Sequence, residues 1–342
     1  MTLSAQKASR SKPLLGAKAL MSSSPIKVRQ LLCSFCSIER QIPGASVDNH
    51  HYSNAPFYPL HFPSFSLLMT HRRSMLYPVV KAVPKEEFDY ILVCMKALPD
   101  VYSIADIIAP AVEASPDAAI VLIQNGIGIE DPIKARFPRN PILSSIAYIG
   151  VTQNELGVIY HSGKVQRLVT GLFEPIEGVD AEGALKVFGD RCNAGGIESA
   201  ITDDIQNYRW RKLVWNGSMN PVCILSNLWT VSNVLASEKY RAMVETTMKE
   251  IVTLAEALGH EIPSTLVQQS METSARLADG YKASMVVDLE EGRPLETEVI
   301  LTNPIRIAEE KQLTHLIPTW YGQYKDLLLY LAERRKASDT RL

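Results

Sequence analysis

Three polar side chains recur along IQNYRWRKLVWNGSMNPVCILSN at 205–227: Lys212, Asn216 and Asn220 stand four residues apart. That spacing stacks them on one face of a helix. An ammonium on such a face can polarise a carbonyl and give it a proton, and two neutral amides can orient a ligand by hydrogen bonds. The flanking residues Leu213, Val214, Trp215 and Met219 are apolar, whereas a solvated face favours Glu and Lys over Asn and Gly. A capped, exposed helix face is the alternative reading. Asp203 with Gln206 three residues on forms a capping-box pattern that predicts the helix start. Pro221 is expected to break or kink the helix and free a carbonyl near Gly217.

Further polar signals lie where strands should end. DYILVCMKA at 89–97 and AAIVLIQ at 118–124 read as strands apolar on both faces, and ILSSIAYIG at 142–150 as a third. Helical patterns at 101–112 and 129–137 separate them. Strand, helix, strand, helix, strand with short turns predicts right-handed crossovers and a parallel sheet. Ligands bind such sheets at the carboxyl ends of the strands. Lys96 ends the first strand and Asn125-Gly126 the second. Glycine admits close backbone approach, and Asn supplies a donor and an acceptor. A solvated strand end and an ordinary turn are the plainer readings. Segments 157–162 and 165–170 flank His161-Ser162-Gly163-Lys164, a pattern that predicts an antiparallel hairpin closing the sheet. Beyond 203 the chain reads as helical, with helices expected at 238–258, 263–277, from about 295, and at 318–334. Glu296 falls in an expected first helical turn, where the helix dipole favours a carboxylate.

The chain has 342 residues, enough for two domains, and its net charge of −2 opposes a general nucleic-acid binder. That average hides a split, with about +9 on residues 1–85 and about −11 on 86–342. The first part holds 8 of the 20 Pro and only Gly16 and Gly44, and it shows little helical or strand periodicity. No G-x-G-x-x-G turn precedes Lys96, so the usual phosphate-binding strand, turn and helix of a dinucleotide fold are not found there. Cys33-x-x-Cys36 with His50-His51 lacks the second spaced pair of a zinc finger, so no metal site is expected. Five scattered cysteines fit a reducing compartment, and no apolar run is long enough to span a bilayer. The Ser-rich, basic start has the composition of a mitochondrial transit peptide, so a mitochondrial location stands as the alternative to a cytoplasmic one.

Four stretches carry a resemblance: DYILVCMKALPD at 89–100, LIQNGIGIED at 122–131, RKLVWNGSMNPVCIL at 211–225 and SMVVDLEEGRPLETEVILTNPIRIAEEKQL at 284–313. Together they resemble the ketopantoate reductases (2-dehydropantoate 2-reductases), over about Ser74 to Arg334, and a fungal-like member with an atypical or truncated N-terminus. The resemblance implies an α/β Rossmann-like domain at 74–200, incomplete for want of the glycine-rich turn, and an all-α catalytic domain at 201–334. An atypical extension at 1–73 and a tail at 335–342 complete the division. It implies Lys212 and Glu296 as catalytic, and Asn125, Asn216, Asn220 and Ser284 as substrate-binding. Lys96, Asn125, Gly126 and Glu296 are implied as cofactor-binding. The implied cofactor is NADP(H), and the partner a small 2-keto acid, reduced to the 2-hydroxy acid by a monomer or homodimer. A catalytically crippled homologue and another hydroxyacid dehydrogenase, which also places Lys-x-x-x-Asn on its first domain helix, are the alternatives.

Overall fold

A computed structural model describes residues 30–33, 88–155, 158–161, 166–277 and 279–339. A six-stranded sheet carries the first half. Its strands are β1 (Gln30–Cys33), β2 (Tyr90–Val93), β3 (Ala119–Ile123), β4 (Ile142–Tyr148), β7 (Arg167–Leu172) and β8 (Glu198–Ile201), in that spatial order. β1 to β4 run parallel, and β7 turns antiparallel to β4. Helix α1 (Ile104–Ala114) crosses from β2 to β3, α2 (Asp131–Arg136) from β3 to β4, and α3 (Ala181–Ala194) from β7 to β8.

The continuous apolar runs of β2 and β3 follow from burial on both faces. Ile91, Val93, Ile120 and Leu122 join the core that includes α1 and the helical half. Tyr90, Leu92, Ala119 and Val121 pack instead with Leu185 and Phe188 of α3. Period-two alternation thus feeds two different cores from one strand.

The second half is helical, and its axis is α4 (Ile205–Leu225), most of whose residues are buried. Around it stand α5 (Val231–Ala236), α6 (Glu238–Ala257), α7 (Leu266–Ala275) and α8 (Ser284–Glu290). A π-helical turn (Glu298–Thr302), α9 (Asn303–Glu310) and α10 (Pro318–Asp339) follow. At Gly217 a Cβ would come 3.0 Å from the Trp320 ring and 3.1 Å from Ile251, so the missing side chain lets α4 meet α6 and α10 closely.

Several expectations need correction. The hairpin predicted across 161–164 does not form as drawn. β5 (Val151–Glu155) pairs with β6 (Val158–His161) in a sheet of two, while β7 pairs with β4. Ser145 and Thr170 sit opposite one another in that β4–β7 ladder, with their buried hydroxyls bonded at 2.7 Å. Helix α4 does not stop at Pro221 but runs four residues further. Only one backbone bond is lost there, and the apolar faces around Val222, Cys223 and Ile224 keep the helix buried. The N-cap of α4 is Asp204, whose carboxylate accepts from the Asn207 amide at 2.9 Å, rather than Asp203. The first 85 residues do contribute a strand, since Gln30–Cys33 forms β1 beside β2. Four residues are too few to show a period, and the pairing comes from β2. The transit-like start, Cys36, His50, His51 and residues 162–165 lie outside the described residues. Among the described residues no helix is long and apolar enough to cross a membrane.

Candidate active site

The carboxyl ends of β2 and β3 place two loops side by side. Lys96 stands three residues beyond β2, and Asn125-Gly126 starts two residues beyond β3. Gln124 ties the loops by donating from Nε2 to the Met95 carbonyl at 2.5 Å. Glu296, 4% exposed, reaches in from the helical half and joins them again. Its Oε1 accepts from the Ala97 amide at 3.3 Å, and its Oε2 accepts from Asn125 Nδ2 at 3.2 Å. Glu296 stands at the start of the helical segment, as expected, with its carbonyl accepting from the Ile300 amide at 3.1 Å, while its carboxylate serves the strand loops. Burial raises its pKa, against the opposing pull of the Lys96 charge and of its hydrogen bonds.

The π turn completes this junction. Its widened hydrogen bonding leaves the Val299 carbonyl to accept from the Ile127 amide at 2.8 Å. Gly126 has φ +100°, and a Cβ there would lie 2.4 Å from Val299 Cβ. Only glycine lets the loop carrying Asn125 reach the π turn.

Lys212 enters from α4 and is half-buried. Its Nζ donates to the Ala147 carbonyl at 2.6 Å and stands 5.4 Å from the centre of the Tyr148 ring. Desolvation pushes its pKa down to about 8; the Glu296 carboxylate raises it in part, and the Arg209 guanidinium lowers it further. Lys212, Asn125, Gly126 and Asn216 line one cleft, with Ile146 and Leu213 as its apolar wall. The cleft is narrow and opens to solvent at its mouth. The Asn216 amide makes no side-chain hydrogen bond among the described residues.

The other expected residues sit differently. Asn220 is fully buried, with its Nδ2 donating to the Asn216 carbonyl at 2.9 Å and its Oδ1 accepting from the Met285 amide at 3.0 Å. Both ends of that amide are engaged, so Asn220 holds the first turn of α8 against α4. Ser284, the exposed first residue of α8, is thereby positioned but does not line the cleft beside Lys212. Lys96 pairs with Asp288, 2% exposed, which also accepts from Arg293 Nε at 3.0 Å. The Tyr102 hydroxyl donates to the Lys96 carbonyl.

Comparison with known proteins sorts this geometry. The sequence model described as ketopantoate reductase PanE/ApbA matches residues 66–175, and that described as its C-terminal part matches 204–318. The chain belongs to the ketopantoate reductase family. It is 30% identical over 285 residues to an uncharacterized protein of Saccharomyces cerevisiae, covering 78% of each chain. It is 26% identical over 234 residues to a 2-dehydropantoate 2-reductase of Nostoc sp., covering 68% of this chain and 71% of that one. The crystal structure of 2-dehydropantoate 2-reductase from Methylococcus capsulatus matches with TM-score 0.63 and 34% identity, over 73% of this chain and 76% of that one. D-mandelate dehydrogenase, solved with NADH and anilino(oxo)acetate, shares the fold at TM-score 0.56 and 20% identity, over 72% of this chain and 78% of that one.

As a ketopantoate reductase family member the chain is an oxidoreductase of the hydroxyacid dehydrogenase type. The first matched segment spans β2 to β7 and the second spans α4 to α9, leaving β1 and β8 of the sheet outside both. The sequence did not mark Arg209, 3% exposed, which lines the cleft beside Lys212. Its spacing held the signal, since positions 209, 212, 216 and 220 extend one polar face by a further turn. Asp288 was also missed, because 192 residues separate it from Lys96.

Proposed function

We propose that this protein reduces 2-dehydropantoate, or a closely similar 2-keto acid, to the 2-hydroxy acid with NADPH. The observation that carries the reading is the desolvated Lys212 ammonium on the same cleft as Asn125 and Asn216. NADPH, when bound, supplies the hydride that adds to the keto carbon. The donor set at the strand ends fits a nicotinamide riboside. Asn125 spends Nδ2 on Glu296 and keeps Oδ1 without a protein donor among the described residues, which suits an amide or hydroxyl hydrogen. Lys96, Gly126 and Glu296 complete that side of the site.

Lys212 faces the opposite need. As the keto carbon gains its new C–H bond, the C=O electron pair moves to oxygen, and Nζ supplies the proton that makes the hydroxyl. The lysine is left neutral and recovers its proton from solvent. With a pKa of about 8 the ammonium predominates at neutral pH yet releases its proton far more easily than an ordinary lysine. Asn216 orients the substrate by neutral hydrogen bonds, and Ile146 and Leu213 keep water from the reacting carbon. Glu296 charge-balances Lys212 and holds Asn125 in place. Ser284 would reach the substrate's far end from α8, with Asn220 acting through that helix.

The test is NADPH oxidation by the full chain with 2-dehydropantoate and a panel of 2-keto acids, with NADH as comparison, beside calorimetric titration of the cofactor. Turnover and micromolar NADPH binding support the reading. No turnover with any 2-keto acid and no NADPH binding near about 1 mM would sink it and favour a crippled homologue.

A further inference from the structure

The mechanism leaves one buried ion pair unused. Arg209 Nε donates to Glu130 Oε1 at 2.6 Å and to Ser144 Oγ at 2.9 Å. Its Nη2 donates to the same hydroxyl at 2.7 Å. Its Nη1 donates to two backbone carbonyls, Gln124 and Gly126, each at 3.0 Å. Glu130 is fully buried and also accepts from Ser144 Oγ at 2.7 Å and from Gln206 Nε2 at 3.1 Å.

Four elements therefore meet at one guanidinium: the loop after β3, the residue that opens α2, strand β4, and helix α4. The residue between the two held carbonyls is Asn125. Arg209 stands three residues before Lys212, on the same face of α4. One rigid fork thus ties the loop that carries Asn125 to the helix that carries Lys212. Lysine cannot reproduce this, because an ammonium lacks the planar spread of five donors. Stability alone does not call for the pair, since well-packed apolar residues commonly replace a buried ion pair without loss.

We infer that Arg209 is a positioning residue for the reduction, setting where Asn125 stands relative to Lys212 by gripping both carbonyls that flank it. The inference rests on the reaction assigned above. Asn125 reaches the nicotinamide side of the cleft and Lys212 the carbonyl oxygen, so a loosened grip misaligns hydride and proton delivery together. Substrate affinity, which draws on Asn216 and the α8 end, is affected less.

Two variants of the full chain test it. Arg209→Lys keeps the charge and loses the fork. The double variant Arg209→Met/Glu130→Gln removes both charges and leaves no buried charge unpaired. In each, kcat is expected to fall about 10- to 100-fold while KM for the 2-keto acid stays within about threefold. Amide hydrogen exchange at 125–127 is expected to quicken at least about tenfold, and by more than the global loss of stability accounts for. The charge also holds Lys212 down, so the alkaline limb of the pH profile should stay near pH 8 in Arg209→Lys and move upward in the double variant. Folded variants that turn over within about threefold of wild type, or unchanged exchange at 125–127, overturn the inference. So does failure of both variants to fold, which marks the pair as structural. A wild type that reduces no 2-keto acid sinks the proposed reaction instead, and the exchange measurement still decides whether Arg209 grips the loop.

Discussion

Raising the pH through 8 perturbs Lys212 more selectively than any substitution. An unburied lysine titrates near 10.5, and burial brings this one to about 8. The ammonium fraction is then about nine-tenths at pH 7, half at pH 8 and one-tenth at pH 9. Reduction consumes the ammonium proton, so kcat/KM for the 2-keto acid should fall about tenfold between pH 7 and pH 9. Oxidation of the 2-hydroxy acid needs the neutral amine, so its rate should rise over the same span. An ordinary lysine would leave the reduction rate flat until about pH 10, while the oxidation rate would climb about tenfold per pH unit without levelling near pH 8. The assay is initial-rate NADPH consumption, and NADPH formation in reverse, at constant ionic strength. Lys212→Ala supplies the control. It should lower turnover by roughly 10²–10⁴-fold, the usual share of a general acid, and erase both limbs. A limb that stays above pH 10, or a Lys212→Ala variant turning over within about threefold of wild type, refutes the assignment of the proton donor.

Glu296→Gln removes a carboxylate that raises the Lys212 pKa, so the alkaline limb should move below pH 8. A limb that moves upward in the pH–rate profile contradicts the coupling. Gly126→Ala meets both φ +100° and a 2.4 Å overlap with Val299, and should cost about 2 kcal/mol or more, read as an earlier denaturant midpoint. Asn220→Ala strands the buried Met285 amide and should cost about 1–3 kcal/mol while leaving KM for the 2-keto acid within about threefold. A KM raised about tenfold with unchanged melting would make Asn220 a substrate contact instead.

Much of the site was legible because it lies on local periodicities. Runs apolar on both faces marked β2, β3 and β4, and their ends located Lys96 and Asn125-Gly126. Four-residue spacing put Lys212 and Asn216 on one face, and α4 presents both to the cleft. Asn220 shares that face, yet the neighbouring α8 consumes its amide. The helix continued past Pro221 because tertiary burial outweighs one missing backbone bond. Arg209 escaped notice because an arginine among Tyr208, Trp210 and Arg211 reads as a solvated side chain until Glu130 appears beside it.

Composition and spacing by themselves determined a parallel α/β unit followed by helices, and a lysine–asparagine face on the first long helix. Those features depend on residues within a few turns of one another, where backbone geometry alone fixes who is neighbour to whom. Tertiary structure decided the rest. It brought Glu296 to Asn125 across 171 positions and Lys96 to Asp288 across 192, and it chose β4 over β6 as the partner of β7. It also brought Lys212 down to a pKa of about 8. Desolvation and charge pairing act through space, so no spacing along the chain encodes them until the two halves pack.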